Sequence, residues 1–191
     1  MNTKNILIVG VGGQGTLLTS RIIGDVVINK GYDVKMSEVH GMAQRGGSVV
    51  THVKYGDKVY SPLVEERGAD VLLAFEKLEA LRWIHYLKED GIAIVNDQEI
   101  NPMPVIIGAE EYPEDIIEKI KENCKNTYIV DALSIAKNLG NIKVLNTILL
   151  GILAKYLGLS VDEWKDAIER VVPSKTIELN KKAFLTGYNL K

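Results

Sequence analysis

Three glycines near the amino terminus have the spacing of an anion-binding turn. Gly10, Gly12 and Gly15 fit the pattern G-x-G-x-x-G and directly follow the first apolar run of the chain. Glycine lacks a Cβ, so the first two can turn sharply and approach a ligand, while the third allows a helix to pack closely on a strand. The free amides of the following helix attract negative charge. This turn, with Gly13 and Gln14 inside it, therefore predicts contact with a phosphate, a pyrophosphate or a carboxylate, unless its glycines serve only tight packing.

A second glycine-rich segment follows the second apolar run. It spans residues 37–48 and contains the polar candidates Glu38, His40, Gln44 and Arg45, followed by Gly46 and Gly47. Arginine and glutamine present fixed donors that suit a carboxylate, a phosphate or a neighbouring subunit, and a histidine can relay a proton. The alternative is that these side chains are solvated or hydrogen-bonded within the loop.

Glu38 also stands about 20 residues beyond the turn, where a dinucleotide-binding domain places the acid that binds the ribose. However, Glu38 runs directly into the glycine-rich loop, where such a domain would have a second crossover helix. This departure weakens a nicotinamide-binding interpretation.

The elements that must position these residues alternate between strand and helix. Strand-like runs lie at Ile6 to Val9, Val34 to Met36, Val71 to Phe75, Ile92 to Val95 and Tyr128 to Val130. This alternation predicts an α/β, Rossmann-like fold with a mainly parallel sheet and helices on both faces. The first helix is expected from about Gly13 to Asn29.

Two further regions depart from simple alternation. Ser48 to Tyr55 and Lys58 to Ser61 flank the turn at Gly56, which predicts an antiparallel hairpin. After Ile142 the pattern is helical, with the spacing of a capping box at Ser160 and a last amphipathic helix near the carboxyl terminus. The sequence therefore predicts a helical C-terminal part.

Composition restricts the partners. The 191 residues, 46% hydrophobic and 25% charged, are typical of one globular domain spanning 1–191. A net charge of -2 without a basic run argues against nucleic acid, and the apolar stretch Val144 to Leu159 is too short and too polar to span a membrane. We expect a cytoplasmic protein.

The potential metal ligands are few. Cys124 is the single cysteine, so an iron–sulfur cluster held by about four thiolates cannot be built from this chain. His40, His52 and His85 lack the spacing of a metal site, and no metal is expected. No residue is assigned a catalytic role.

Both glycine-rich motifs resemble a known family. Residues 10–15, Gly-Val-Gly-Gly-Gln-Gly, and residues 37–48, Ser-Glu-Val-His-Gly-Met-Ala-Gln-Arg-Gly-Gly-Ser, look like the gamma-type domain of 2-oxoacid:ferredoxin oxidoreductases. The stretches Asp131-Ala132, Gly140-Asn141, Leu150-Gly151, Ala183-Phe184 and Gly187-Tyr188, together with Asn146 and Asn180, agree with it, so the resemblance covers nearly the whole chain. The loop at His40 to Arg45 is most similar to the beta subunit of the indolepyruvate branch.

The resemblance implies an accessory subunit. The family decarboxylates 2-oxoacids oxidatively to acyl-CoA and reduces ferredoxin, using thiamine diphosphate, magnesium, iron–sulfur clusters and coenzyme A. Because this chain lacks the cluster cysteines and a thiamine signature of Gly-Asp-Gly with paired asparagines, the resemblance implies a larger partner subunit that carries those cofactors. Both glycine-rich motifs would then face the coenzyme A side of a shared site.

Three alternatives remain open at this point. The first is a stand-alone NAD-binding oxidoreductase that uses Gly10, Gly12, Gly15 and Glu38. The second is a gamma subunit for another 2-oxoacid, such as pyruvate or oxoglutarate. The third is a structural module that keeps the fold without the partner.

Overall fold

A computed structural model describes residues 3–41 and 46–190 of the chain. They form one sheet whose strands are β1 (Lys4–Val11), β2 (Asp33–His40), β3 (Ser48–Gly56), β4 (Ala69–Ala74), β5 (Leu87–Asn96) and β6 (Asn126–Val130). The helices are α1 (Thr16–Asn29), α2 (Lys77–Trp83), α3 (Met103–Ile106), α4 (Ile116–Asn123), α5 (Ala132–Asn138), α6 (Leu145–Ala154), α7 (Val161–Val171) and α8 (Ile177–Asn189).

The sheet is mainly parallel, as predicted. Its strand order is β2-β3-β1-β4-β5-β6, in which β1, β4, β5 and β6 are parallel neighbours and β3 is antiparallel to both β2 and β1. One apolar cluster packs α1 and the four C-terminal helices α5 to α8 against one face, and a second cluster packs α2 and α4 against the other. The predicted helices on both faces are therefore confirmed.

The predicted hairpin partner of β3 is wrong. Residues 57–68 contain no strand, and Lys58 to Ser61 do not pair with β3. The reason is that both edges of β3 are already occupied, since β3 pairs along its length with β2 and β1. The amide of Val59 instead donates to the carboxylate of Asp33, 3.0 Å away. The antiparallel partners that the structure shows are β2 and β3, which are consecutive in the sequence.

The strand order creates a switch point between β1 and β4. The chain leaves β1 for α1, which packs on one face, and leaves β4 for α2, which packs on the other. Open α/β sheets bind ligands where neighbouring connections diverge in this way, beyond the carboxyl ends of the strands. The turn at Gly10 to Gly15 lies at this position.

The C-terminal helices form the thicker layer. Every residue of α6 is buried, and α7 begins with the predicted capping box between Ser160 and Glu163. No helix of the described residues has the length and apolar character needed to cross a bilayer.

Two glycines determine how closely α6 and α8 approach. A Cβ added at Gly151 would lie 2.1 Å from the carbonyl oxygen of Phe184, and one added at Gly187 would lie 2.0 Å from the carbonyl oxygen of Ile148. Both distances are far inside van der Waals contact, so only glycine fits. Thr147 also donates to Asn180 across this crossing, at 2.6 Å.

We predict that Gly187→Ala destabilises the protein, because the two helix backbones must move apart. The expected loss in the free energy of unfolding, measured by urea titration, is about 2–3 kcal/mol. Gly24→Ala is the matched control on a helix, since its Cβ would meet only the flexible end of Met36 at 3.1 Å. That variant should stay within about 1 kcal/mol of wild type. Equal effects of the two substitutions would contradict this account.

Candidate functional site

The glycine turn ends in an uncapped helix. Gly13 and Gly15 have φ angles of 103° and 93°, which side chains rarely tolerate. Gly15 is the N-cap of α1, and no side chain caps this helix. The first amides of α1 therefore lack intrahelical acceptors and form an electropositive end suited to an anion.

Gln14 bridges the switch point with its side chain. Its Oε1 accepts from the amide of Val11 at 2.8 Å, and its Nε2 donates to the carbonyl of Phe75 at 2.9 Å and to Oε1 of Gln98 at 3.2 Å. Asn96, fully buried at the end of β5, donates to the same carbonyl of Phe75 and to Gln98. This amide network joins the ends of β1, β4 and β5 beneath the turn.

The two glycine-rich segments meet. The amide of Gly12 donates to the carbonyl of Gly47 at 2.8 Å, and the amide of Gly46 donates back to the carbonyl of Gly12 at 3.4 Å. Ser48, the next residue, donates to the buried carboxylate of Glu79 on α2. Tertiary structure thus brings together two motifs that are separated by about thirty residues of sequence.

A cleft of about 370 Å³ opens beside the turn, on the α1 face. Its volume falls in the range of small-molecule sites. Gly13, Gln14, Gly15 and Gln98 form one side, and the other side carries Leu18, Leu133, Ile142, Lys143, Leu145 and Asn146. The cleft combines backbone and side-chain donors with an apolar wall, so it suits an anionic ligand that has an apolar portion.

Asn146 supplies the most specific polar group of this cleft. Its side chain is only 3% exposed, and its Oδ1 is fixed by the amide of Thr147 at 2.8 Å. Its Nδ2 lies 2.8 Å from the position that a Cβ of Gly15 would occupy, and it donates to no described residue. This donor lines the cleft, so a ligand there can supply its acceptor.

Glu38 and His40 lie apart from the turn. They contact each other at 2.8 Å on β2, and Glu38 also accepts from Thr51 on β3. Because β3 is inserted between β2 and β1, these side chains are two strand spacings, about 10 Å, from β1 in the plane of the sheet. Gln44 and Arg45 lie outside the described residues. The structure therefore brings together Gly10, Gly12, Gly13, Gln14, Gly15, Gly46 and Gly47. It separates Glu38 and His40 from the turn at Gly10 to Gly15.

Sequence reasoning missed the far wall of the cleft and a second hollow. Asn146 and Lys143 belong to the C-terminal helical part. The signal in the sequence that could have indicated this wall was the polar pair Asn146-Thr147 near the start of an otherwise apolar helix. On the opposite side of the turn, a hollow of about 340 Å³ is lined in part by Gly46, Gly47, Glu76 and Glu79. Lys143 itself forms no ion pair within the part of the chain that is described.

Glu76 is a buried carboxylate in this hollow. It is only 1% exposed and accepts from the hydroxyl of Tyr112 at 2.5 Å, the amide of Ile100 at 3.2 Å and the amide of Glu79 at 2.8 Å. Burial raises the pKa of Glu76 above its ordinary value, although these hydrogen bonds act in the opposite direction. The pKa of Tyr112 is raised by burial and by its bond to this carboxylate.

The raised pKa of Glu76 predicts a pH dependence of stability. The folded protein binds the proton of the Glu76 carboxyl more tightly than the unfolded chain does. The stabilisation of the folded state by this protonation is therefore complete below the ordinary pKa of 4.5, and it is lost as the pH rises through the pKa of the folded state. The free energy of unfolding of wild type minus that of Glu76→Gln should therefore decrease from pH 4.5 upward and then level off. Denaturant titration across this range measures it. A difference for Glu76→Gln that rises with pH would refute the assignment.

No group of three or more His, Cys, Asp or Glu side chains in residues 3–41 and 46–190 has the arrangement of a metal site. Cys124 is buried and its thiol contacts the carbonyls of Gly91 and Asn126.

Comparison with known proteins identifies the family. Residues 5–190 match the family described as pyruvate ferredoxin/flavodoxin oxidoreductase. The chain belongs to this family. The indolepyruvate oxidoreductase subunit IorB of Pyrococcus horikoshii is 41% identical over 192 residues, covering 98% of this chain and 95% of the relative. The common gamma subunit of the pyruvate/ketoisovalerate oxidoreductases of Pyrococcus furiosus is 28% identical, covering 94% and 92% of the two chains.

A solved structure has the same fold. The gamma subunit of a keto/oxoacid ferredoxin oxidoreductase from Geobacter sulfurreducens superposes with a TM-score of 0.72 at 26% identity, covering 97% of this chain and 96% of that one. This member of the pyruvate ferredoxin/flavodoxin oxidoreductase family is thus similar over its length to chains that are subunits of oxidoreductases. The family resemblance noted in the two glycine-rich motifs is confirmed.

Proposed function

We propose that this chain is the accessory subunit of an indolepyruvate, or arylpyruvate, ferredoxin oxidoreductase. The whole enzyme would decarboxylate a 2-oxoacid oxidatively to acyl-CoA and pass the electrons to ferredoxin. The observation that carries the proposal is the 41% identity to the indolepyruvate oxidoreductase subunit of Pyrococcus horikoshii, against 28% for a pyruvate/ketoisovalerate gamma subunit over similar lengths. The loop from His40 to Gly47 favours the same branch.

The redox and thiamine chemistry belongs to a larger partner. An iron–sulfur cluster needs about four thiolates, whereas the single thiol of Cys124 is buried against backbone carbonyls. The sequence also lacks a Gly-Asp-Gly thiamine signature. The residues present therefore do not fit these groups, and thiamine diphosphate, magnesium and the clusters are assigned to the partner subunit.

Coenzyme A does fit the residues of the cleft. It is an anion with phosphates at one end and an extended, partly apolar arm. The amides at the start of α1, the Nδ2 of Asn146 and the ammonium of Lys143 offer donors for phosphate, and Leu133 and Ile142 offer apolar contact. The turn at Gly10 to Gly15 is proposed to border this cleft. Gly46 and Gly47, together with the sequence candidates Glu38, His40, Gln44 and Arg45, are proposed to border the shared site where it extends beyond the cleft.

The stand-alone NAD-binding alternative receives less support. An acid that binds ribose belongs beside the glycine turn, on the strand next to β1. Here the neighbouring strand is the antiparallel β3, and Glu38 lies beyond it, paired with His40. Titration of the isolated chain with NADH should show no micromolar binding, and binding that Glu38→Ala abolishes would reinstate the alternative.

Assembly tests the proposal directly. The native protein, purified from its source, should bring with it a larger chain that binds thiamine diphosphate and iron–sulfur clusters, identified by mass spectrometry. A partner that is fully active without this chain, while this chain purifies alone, would contradict the accessory role.

The cleft is tested in the reconstituted enzyme by Asn146→Asp. The substitution keeps the Oδ1 acceptor for Thr147 but replaces the free donor with negative charge beside the α1 terminus. We expect the KM for coenzyme A to rise roughly tenfold or more, with the KM for the 2-oxoacid unchanged. Asn141→Asp is the control, because Asn141 caps a turn before α6 and lies outside the cleft lining. A coenzyme A KM equal to that of wild type would remove Asn146 from the site.

In the same assay, Arg45→Ala should lower turnover or weaken assembly, because a fixed guanidinium that binds an anion or a neighbouring subunit is hard to replace. Unchanged turnover together with unchanged assembly would remove Arg45 from the proposed site.

A further inference from the structure

Residues 97–118 carry acidic side chains without any basic ones. This segment, called here the acidic lobe, connects β5 to α4 and contains seven acidic residues and no lysine, arginine or histidine. It also contains α3, whose apolar residues are exposed: Met103 by 64%, Ile106 by 65% and the following Ile107 by 69%. Large apolar side chains grouped in this way on a surface mark an interaction site.

The sheet holds the acidic lobe in place at two points. The carboxylate of Glu76, at the start of α2, accepts from the amide of Ile100 before α3 and from the hydroxyl of Tyr112 after it. Lys77 lies over the ring of Tyr112, at 5.5 Å from its centroid. The three apolar side chains are therefore presented outward from an anchored segment, which lowers the cost of ordering them when a partner binds.

We infer that the acidic lobe is the surface on which the larger subunit docks, through a complementary patch of apolar contacts rimmed by basic side chains. The inference rests on the proposed function, which supplies the partner. Met103 and Ile106 also line the hollow that contains Gly46 and Gly47. A subunit seated on α3 therefore reaches the second glycine-rich loop, so docking and the proposed shared site are continuous.

Charge favours this occupant over a second copy of the chain. A groove of about 730 Å³ at the start of α4 is lined in part by Asp97, Glu99, Glu114 and Asp115. The one cation of its lining, Lys77, is paired with Glu99 at 3.2 Å. Two copies meeting through this surface would bring like charges together, which opposes association. A partner with basic side chains around its apolar patch has no such penalty.

The test is the affinity of the full chain for the co-expressed larger subunit, measured by surface plasmon resonance after the complex is separated. Met103→Ser/Ile106→Ser/Ile107→Ser should raise the Kd at least roughly tenfold, because the central apolar anchors are lost. These side chains are exposed, so folding should be preserved, and circular dichroism verifies it. Ile28→Ser/Tyr60→Ser removes exposed apolar groups outside the acidic lobe and should leave the Kd within about twofold of wild type.

A second variant tests the contribution of the acidic side chains to binding separately from that of the apolar ones. Glu110→Gln/Glu111→Gln/Glu114→Gln should slow association at low salt and reduce the salt dependence of the on-rate, because exposed charges steer encounter and are screened by salt.

The outcomes distinguish the proposed docking surface from the proposed accessory function. If wild type binds the larger subunit and the triple serine variant binds equally well, the docking surface is wrong while the accessory function stands. If wild type does not bind that subunit at all, both proposals fail. A wild-type dimer in sedimentation experiments that Ile106→Ser dissociates would assign the surface to a second copy and overturn the partner proposed here.

Discussion

The side chain of Gln14 is the interaction on which the geometry of the site depends. One primary amide satisfies the amide of Val11 at the end of β1 and the carbonyl of Phe75 beyond β4, two backbone groups that the sheet ladder leaves unpaired where these strands separate. A buried backbone group without a partner costs about 1–3 kcal/mol, so the bridge stabilises the divergence of the two strands as well as the turn above it. Asn96 and Gln98 extend the network to β5, and Asn96 Oδ1 also accepts from the amide of Ala132 at the start of α5. The glycine turn is thus a fixed structure before any ligand binds.

The antiparallel strand β3 is the second constraint. In a dinucleotide-binding sheet a crossover helix would return the chain to a parallel strand next to β1. Here β3, which is antiparallel to both β2 and β1, fills that place with full-length pairing on both sides. The insertion has two consequences. It moves Glu38 away from the glycine turn, and it delivers Gly46 and Gly47 to Gly12, where two backbone hydrogen bonds join the loops.

The two faces of the sheet have different surroundings near the turn. On the α1 face, the cleft is walled by α5 and α6 and contains backbone amides, the free donor of Asn146 and a lysine. On the α2 face, Glu76 and Glu79 are buried carboxylates that hold α3 and the second loop in place. A chain of this kind supplies binding and positioning while its partner supplies cofactor chemistry. The proposed ligand and the proposed partner would thus approach the same turn from opposite faces.

Local sequence signals determined the elements, because turns, caps and periodicity depend on neighbouring residues. The strand entering Gly10 to Gly15, the helix α1 ending at Asn29 and the capping box at Ser160 were all readable from the sequence. The motif at residues 10–15 and the loop at 37–48 also indicated the family. Only the tertiary structure decided the partners of β3, since pairing depends on which strand edges remain free, and the composition of the cleft, since Asn146 reaches Gly15 across more than 130 residues of sequence. The contact between Gly151 and the backbone of α8 was likewise decided only by the tertiary structure. Such long-range contacts are set by packing, which no local pattern encodes.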